Sequence, residues 1–181
     1  MRTAEDVIRF WFTEHGQDDW FGGKPEFDAA IAARFGKIHA YVSRGEGWAW
    51  RQTAEGRLAE VIVLDQFSRQ LFRNDGKAFA QDSMALVLAQ EAIAAGADQA
   101  VDAVKRAFFY LPFMHAEALV IQDEGMRLYQ ALGDAAQLDF MTKHREAIAR
   151  FGRFPFRNAA LGRTSTPDEL AYMAEAGGRS F

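Results

Sequence analysis

The residues able to do chemistry fall in three groups. Asp65, Gln66, Arg69 and Arg73 lie in LAEVIVLDQFSRQLFR at 58–73. Asp65 and Arg69 are four residues apart, as are Arg69 and Arg73, so each pair can touch on one helix face. Charged side chains are seldom buried unless they are paired. Read structurally, this group is a buried ion pair with a surface arginine. Read functionally, Asp65 orients Arg69 in an anion site. The second group is His115, Glu117 and Gln122. Pro112 is expected to open a helix with His115 and Glu117 in its first turn, where unpaired N–H groups and the helix dipole favour an anion. A histidine on an apolar face is otherwise a hydrogen-bonded core residue. The third group is His144, Arg150, Arg153, Arg157, Asn158 and Arg163. The stretch RFGRFPFRNAALGR at 150–163 holds four arginines and no acid. Its arginines either bridge helix ends and carboxylates such as Asp65 and Glu117, or complete a pocket for a carboxylate or phosphate.

Taken as one site, the groups have distinct roles. Asp65 and Glu117 orient, and His115 or His144 moves a proton. Arg69, Arg73, Arg153 and Arg157, with Gln66, Gln122 and Asn158, hold a small anionic molecule. The reaction, if there is one, is a cofactor-free hydrolysis or elimination on an acidic metabolite. The alternative is a helical module that takes a short peptide in a groove, its polar network being structural. Familiar signatures are missing. The chain has neither G-x-x-x-x-G-K-[ST] nor G-x-G-x-x-G, neither H-E-x-x-H nor a glutamate followed three residues later by histidine, and no G-x-S-x-G. It has no cysteine, so disulfides and thiolate metal sites are excluded. No metal or cofactor is assigned, and the expected location is cytoplasmic.

The elements that position these residues are helices. Thr3 to Phe12 reads as a short helix with Thr3 as cap and Asp6 completing a capping box. Residues 13–24 read as a loop whose Trp20 and Phe21 pack onto the core. Pro25 opens a second helix with Phe27, Ile31, Phe35, Ile38 and Val42 along one face. Trp48 and Trp50 lie in the turn before the core helix, which Thr53 caps. Leu58, Val61, Ile62, Asp65 and Arg69 share one face of that helix, while Leu64, Phe67 and Leu71 make the other side apolar too, so the helix should be central. After the Asn74-Asp75-Gly76 turn, a helix is expected from Lys77 to Ala95, with Phe79, Leu86, Ala89 and Ile93 inward. Asp98 caps the next, which ends before Pro112. A long helix from Pro112 to Leu132 carries His115, Leu119, Gln122, Met126 and Tyr129 on one face. Asp134 caps a helix to Phe151 with Gln137, Met141, His144, Ile148 and Phe151 inward. Thr166-Pro167-Asp168-Glu169 starts a final helix that ends at Gly177-Gly178. No stretch alternates like a strand. The expectation is a single all-α domain over 1–181, about eight mostly antiparallel helices without a sheet.

These motifs carry a resemblance. FWF at 10–12, WF at 20–21, LDQFSRQLFR at 64–73, FxxD at 79–82, FFYLPFMHAE at 108–117 with Gln122, and His144 leading into RFGRFPFRN at 150–158 and LGRTSTPDE at 161–169 recur in that order. Over nearly its full length the chain resembles DUF924, a bacterial family without an established activity. The resemblance implies a tetratricopeptide-like helical array, although no 34-residue period is visible.

Composition narrows the class further. The 21 basic against 25 acidic residues give a net charge of −4, which weighs against nucleic-acid binding. Residues 1–12 are not expected to be a signal peptide. No apolar run approaches the ~18 residues of a membrane span. A hydrophobic fraction of 49% with 16 phenylalanines indicates a folded chain with an aromatic core. No oligomeric state is assigned.

Overall fold

The computed structural model describes residues 3–175, and among them ten α-helices follow one another without a strand. The fold is all-α. None of the described helices is long and apolar enough to cross a membrane. Internal packing divides the chain into two compact units, residues 1–73 with 77–112 and residues 74–76 with 113–181.

In the first unit, α1 (Ala4–Arg9) begins at the expected capping box. Asp6 N–H donates to the Thr3 hydroxyl and Thr3 N–H to the Asp6 carboxylate. The helix then widens into a π turn over Phe10–Glu14. A short α2 (Gln17–Trp20) occupies part of the expected loop. Trp20 is buried, its ring 5.6 Å from that of Trp11 and its indole N–H donating to the Trp11 carbonyl at 2.8 Å. Phe21, expected to pack beside it, is 65% exposed. Phe21 lies just past the end of α2, where the backbone has left the helix.

α3 (Pro25–Ser43) buries the whole expected stripe, Phe27, Ile31, Phe35, Ile38 and Val42. The Thr53 hydroxyl accepts the Gly56 N–H at 3.0 Å and opens the core helix. That helix runs through α4 (Ala54–Ile62), a π turn (Val63–Phe67) and α5 (Ser68–Leu71). Every residue from 58 to 68 is buried, which makes it central, as its two apolar sides require.

α6 (Asp82–Ala94) starts later than expected, after a 3-10 turn at Gly76–Phe79. It buries Ala85, Ala89 and Ala92. Of the expected inward set Phe79, Leu86, Ala89 and Ile93, only Ala89 is buried. The alanine stripe lets α6 approach α4 closely, and that close approach decides which face turns inward.

α7 (Ala103–Met114) is capped by Asp102, whose carboxylate accepts the Lys105 N–H at 3.0 Å. Asp98, the expected cap, is buried and accepts from the Tyr110 hydroxyl at 2.7 Å. The helix does not stop before Pro112 but passes through it. A proline near a helix end removes one N–H without breaking the turns that follow. The next helix does not start at Pro112 either: α8 is Leu119–Leu132. His115 and Glu117 therefore lie between helices, at the C-terminal end of α7, and not in a helical first turn.

In the second unit, Gly133 adopts φ 80° and ends α8, and Asp134 caps α9 (Ala135–Phe151). The two helices run antiparallel, with Arg145 on Asp123 at 2.7 Å and Thr142 beside Met126 at 3.8 Å. Gly125 makes this approach possible, since a Cβ there would meet Met141 at 2.9 Å. α9 buries Met141, His144, Ala147 and Ile148. α10 (Pro167–Glu175) starts at the expected box, with the Glu169 N–H donating to the Thr166 hydroxyl and the Thr166 N–H to the Glu169 carboxylate. The expected stop at Gly177-Gly178 lies outside the described residues.

Candidate functional site

The expected site residues divide between the two units. Asp65, Gln66, Arg69 and Arg73 lie in the first, and His115, Glu117, Gln122, His144, Arg153, Arg157 and Asn158 in the second.

In the first unit the group sits on the π turn of the core helix. A π turn shifts carbonyls off the regular hydrogen-bond ladder, so some need other donors. The Ser68 hydroxyl donates to the Leu64 carbonyl at 2.6 Å, and Arg69 Nη1 donates to the Asp65 carbonyl at 2.5 Å. With its hydroxyl proton on Leu64, Ser68 must accept from His39 Nε2 at 2.8 Å, which sets the tautomer of that buried ring. Burial pushes the pKa of His39 down, so the ring is held neutral.

Arg69 forms a fork on Asp82, at 2.9 and 3.1 Å, and reaches the Asp65 carboxylate at 3.4 Å. Gln66 donates to Asp65 at 2.6 Å. Burial pulls the Arg69 pKa down, but the fields of Asp65 and Asp82 and the bond to Asp82 outweigh it and hold the guanidinium above its ordinary value. Arg73 is a second fork, on Asp28 at 2.7 and 2.8 Å. The Asp65–Arg69 contact is the one the spacing predicts. Asp82, Ser68 and His39 complete the set, and no local spacing pointed to them; Asp82 was visible only as the last residue of the FxxD block.

In the second unit the polar residues converge on the loop 115–118 between α7 and α8. The last carbonyls of a helix lack partners within it. Gln122, wholly buried, reaches back from α8 and presents Nε2 to the carbonyls of Phe113 (3.2 Å), Met114 (2.8 Å) and Ala116 (2.8 Å). The other amide orientation would set an oxygen against three oxygens, so the assignment is secure. Gln122 Oε1 then has no hydrogen-bond donor. Arg157 donates to the His115 carbonyl at 2.9 Å, its guanidinium 4.6 Å above the Phe154 ring.

Glu117 receives a fork from Arg163 at 2.8 and 2.9 Å and the Phe154 N–H at 2.7 Å. Burial raises its pKa, but these donors and the field of Arg157 prevail and keep it low. Arg163 also donates to the Asn158 side-chain oxygen at 2.9 Å and the Phe154 carbonyl at 3.0 Å. Asn158 in turn donates to Glu169 at 3.2 Å and Ser165 at 3.0 Å. Arg153 is a fork on Glu169, at 2.6 and 2.8 Å. That pair first, with the Thr166 N–H and Asn158, lowers the Glu169 pKa to about 2. Glu169 was legible as a capping residue and not as the partner of Arg153.

Two imidazoles stand beside this network. His144 is buried on α9, and its Nδ1 lies 2.7 Å from the Phe140 carbonyl. Only a protonated Nδ1 can make that bond, so Nε2 carries the lone pair of the neutral ring. The His115 ring lies 6.2 Å from it between centroids, tilted by 53°. The Phe154 ring meets His144 edge-on at 5.5 Å. Such a pair can accept or deliver a proton, or donate lone pairs to a ligand. No group of three His, Asp or Glu side chains among the described residues is arranged to hold a metal.

Comparison with known proteins places the chain. It is similar to a solved structure of a protein of unknown function from Agrobacterium tumefaciens, with 41% identity, a TM-score of 0.91 and coverage of 95% of this chain and 97% of that one. No curated protein matches. Residues 7–177 match the family described as bacterial protein of unknown function (DUF924), and the chain belongs to that family.

Proposed function

We propose that this chain binds a small anionic metabolite at the loop 115–118, with His144 and His115 as the groups that accept or deliver its proton. The observation that supports this is the amount of polar structure fixing so short a loop. Gln122 holds three carbonyls around it, Arg157 holds the carbonyl of His115, and Glu117 is held from both sides by Arg163 and Phe154. Locking a loop to this degree orients a reactive side chain more than it serves packing. In this reading His144 Nε2 is the base. Glu117, Gln122, Arg157, Arg163, Asn158 and the Arg153–Glu169 pair are positioning residues. In this reading Asp65, Gln66 and Arg69 serve the first unit at its π turn, where Arg69 donates to the Asp65 carbonyl, and Arg73 pairs with Asp28.

A peptide-binding, tetratricopeptide-like array is the second reading. The antiparallel pairing of α8 and α9 across Gly133-Asp134 favours it.

A thermal-shift series with inorganic phosphate, succinate, citrate and short peptides tests both. A ligand at ~100 times its Kd adds about 2.7 kcal/mol, or roughly 5–10 °C in Tm for a chain of this size. The expected result is a shift with a small anion that is lost in His144→Gln. Shifts with peptides alone would transfer the case to the helical array, and a flat series would overturn both.

A further inference from the structure

Away from the 115–118 loop, the second unit carries a cleft between α9 and α10. Its volume is about 400 Å³, within the roughly 300–1,000 Å³ of small-molecule sites. None of its lining residues belongs to that loop or to the network that holds it. The floor is apolar. Tyr172 packs against the buried cluster of Ala147, Ile148 and Phe154. The Phe151 ring lies 5.1 Å from that of Tyr172, tilted by 55°, and the two form an aromatic wall. Four charged side chains edge this floor: Lys143, Glu146 and Arg150 on α9, and Glu175 on α10. Lys143 is committed to Asp139. The other three are not committed. Glu146 and Arg150 stand four residues apart, the spacing at which a glutamate and an arginine pair on a helix. Here Arg150 turns onto the Phe151 face instead, 4.7 Å from its centroid. Among the described residues, Glu146, Arg150 and Glu175 make no hydrogen bond or ion pair. Cation–ring contact spends none of the guanidinium's N–H donors.

We infer that this cleft binds a zwitterionic α-amino acid with an aromatic side chain. Arg150 takes its carboxylate through two N–H donors. Glu146 and Glu175 take its ammonium. Its ring lies against the wall of Phe151 and Tyr172. Charge selects this class. A dianion would meet Glu146 and Glu175, and a diamine would meet Arg150 and Lys143, each at a cost that works against binding. A ligand with one charge of each sign answers both. The two uncommitted charges of α9 also stand near one group on α10. Burial raises the Tyr172 phenol pKa, the field of Arg150 lowers it and that of Glu146 raises it. A guanidinium and a carboxylate thus flank the aromatic wall from one helix, which is the layout that an ammonium and a carboxylate on one carbon require. Ala147 beneath them is a small residue, so the floor stays open to a ring.

The test titrates the full chain by calorimetry at neutral pH with three compounds. Phenylalanine carries both charges, N-acetylphenylalanine lacks the ammonium, and phenethylamine lacks the carboxylate. The expected result is one phenylalanine per chain, bound at least about tenfold more tightly than either analogue. Arg150→Met should weaken phenylalanine at least about tenfold and abolish the preference over phenethylamine. The double variant Glu146→Gln, Glu175→Gln should abolish the preference over N-acetylphenylalanine. All three residues are exposed, so these variants should keep the fold. Lys143→Met, which removes a cation already on Asp139, should leave both preferences in place. No binding of phenylalanine by the wild type overturns the inference. So does phenylalanine binding without preference over the analogues, which ring burial alone would explain, and so do preferences that persist in the variants. Failure here leaves the 115–118 reading standing, since that reading is judged by the anion shift lost in His144→Gln.

Discussion

Glu169 offers the sharpest test of how the second unit is held. Its carboxylate accepts from Arg153 twice, from the Thr166 N–H and from Asn158, and its pKa falls from 4.5 to about 2. A full shift of that size corresponds to roughly 3 kcal/mol. Glu169 itself is only 2% exposed, but its cover is thin and the Arg153 side chain opposite is 29% exposed. Solvent screening reduces the net contribution to about 1–2 kcal/mol. The sign follows from linkage. A carboxylate whose pKa is lowered on folding stabilises the fold above its unfolded value. That contribution is lost as pH falls through the window from about 5 to about 2. Glu169→Gln should therefore destabilise the chain by about 1–2 kcal/mol at pH 7, and the gap to wild type should narrow steadily on acidification. Urea unfolding at pH 7, 5 and 3 gives the gap. Amide exchange at Thr166, whose N–H donates to this carboxylate, reports whether α10 loosens locally. A gap that stays constant with pH would refute the charge-based account. A gap that closes while Thr166 exchange is unchanged would refute its assignment to α10.

Other consequences follow from the same geometry. Arg69→Met strands Asp65 and Asp82 and should destabilise by about 3–5 kcal/mol in urea unfolding; a loss under ~1 kcal/mol would mean the pair does not hold the π turn. His39 has its pKa pushed below 6.5 by burial, so its contribution is complete above about pH 6.5 and is lost as pH falls below it. Wild type should weaken as pH falls below 6.5 more steeply than His39→Gln, measured by Tm against pH, and parallel curves would count against a buried neutral ring. Gln122→Leu leaves the carbonyls of Phe113, Met114 and Ala116 without their donor, which should cost about 2–4 kcal/mol and speed amide exchange at the start of α8; unchanged exchange there would show that the loop is held by other means.

Local signals were readable in the sequence. The boxes at Thr3 and Thr166, the caps Thr53 and Asp134, and the stripe of α3 depend on neighbours within a few turns, and each appears as the spacing predicts. The phase of α6 was not readable, because leucine and isoleucine outrank alanine in any hydropathy pattern while close helix approach selects alanine. The break after α7 was hidden as well. It depends on a glutamine reaching back from the next helix, and Pro112 looked like a start because proline is favoured at the first position of a helix. For the site, the i,i+4 contact of Asp65 with Arg69 could be read. The stronger partners could not: Asp82 lies 13 residues from Arg69, Glu169 lies 16 from Arg153, and Glu117 lies 46 from Arg163. Which carboxylate meets which arginine at such separations is a property of the fold.

Both units use one device, and it changes how the sequence blocks are to be weighed. In the first, the π turn diverts the Leu64 and Asp65 carbonyls, which Ser68 and Arg69 recover, with His39 and Asp82 fixing those two donors in turn. In the second, the break after α7 leaves carbonyls that Gln122 and Arg157 recover, while Arg163 and Glu117 pin the strand of loop beside them. The blocks LDQFSRQLFR and FFYLPFMHAE thus mark irregular backbone together with the side chains that satisfy it. Irregular backbone in a buried setting is costly unless every polar group is answered, so these residue types are required there whether or not a ligand ever binds. In the first unit the recovered donors, Ser68 and Arg69, are accounted for by closure of the helix that bears them. In the second unit the same closure fixes residues 115–118, the loop the proposed function uses, through Gln122, Arg157 and Glu117. His144 Nδ1 lies 2.7 Å from the Phe140 carbonyl of its own helix, and the His115 carbonyl accepts from Arg157. The functional argument rests on what that locked loop positions, and Arg157 and Arg163 are part of the frame that holds it.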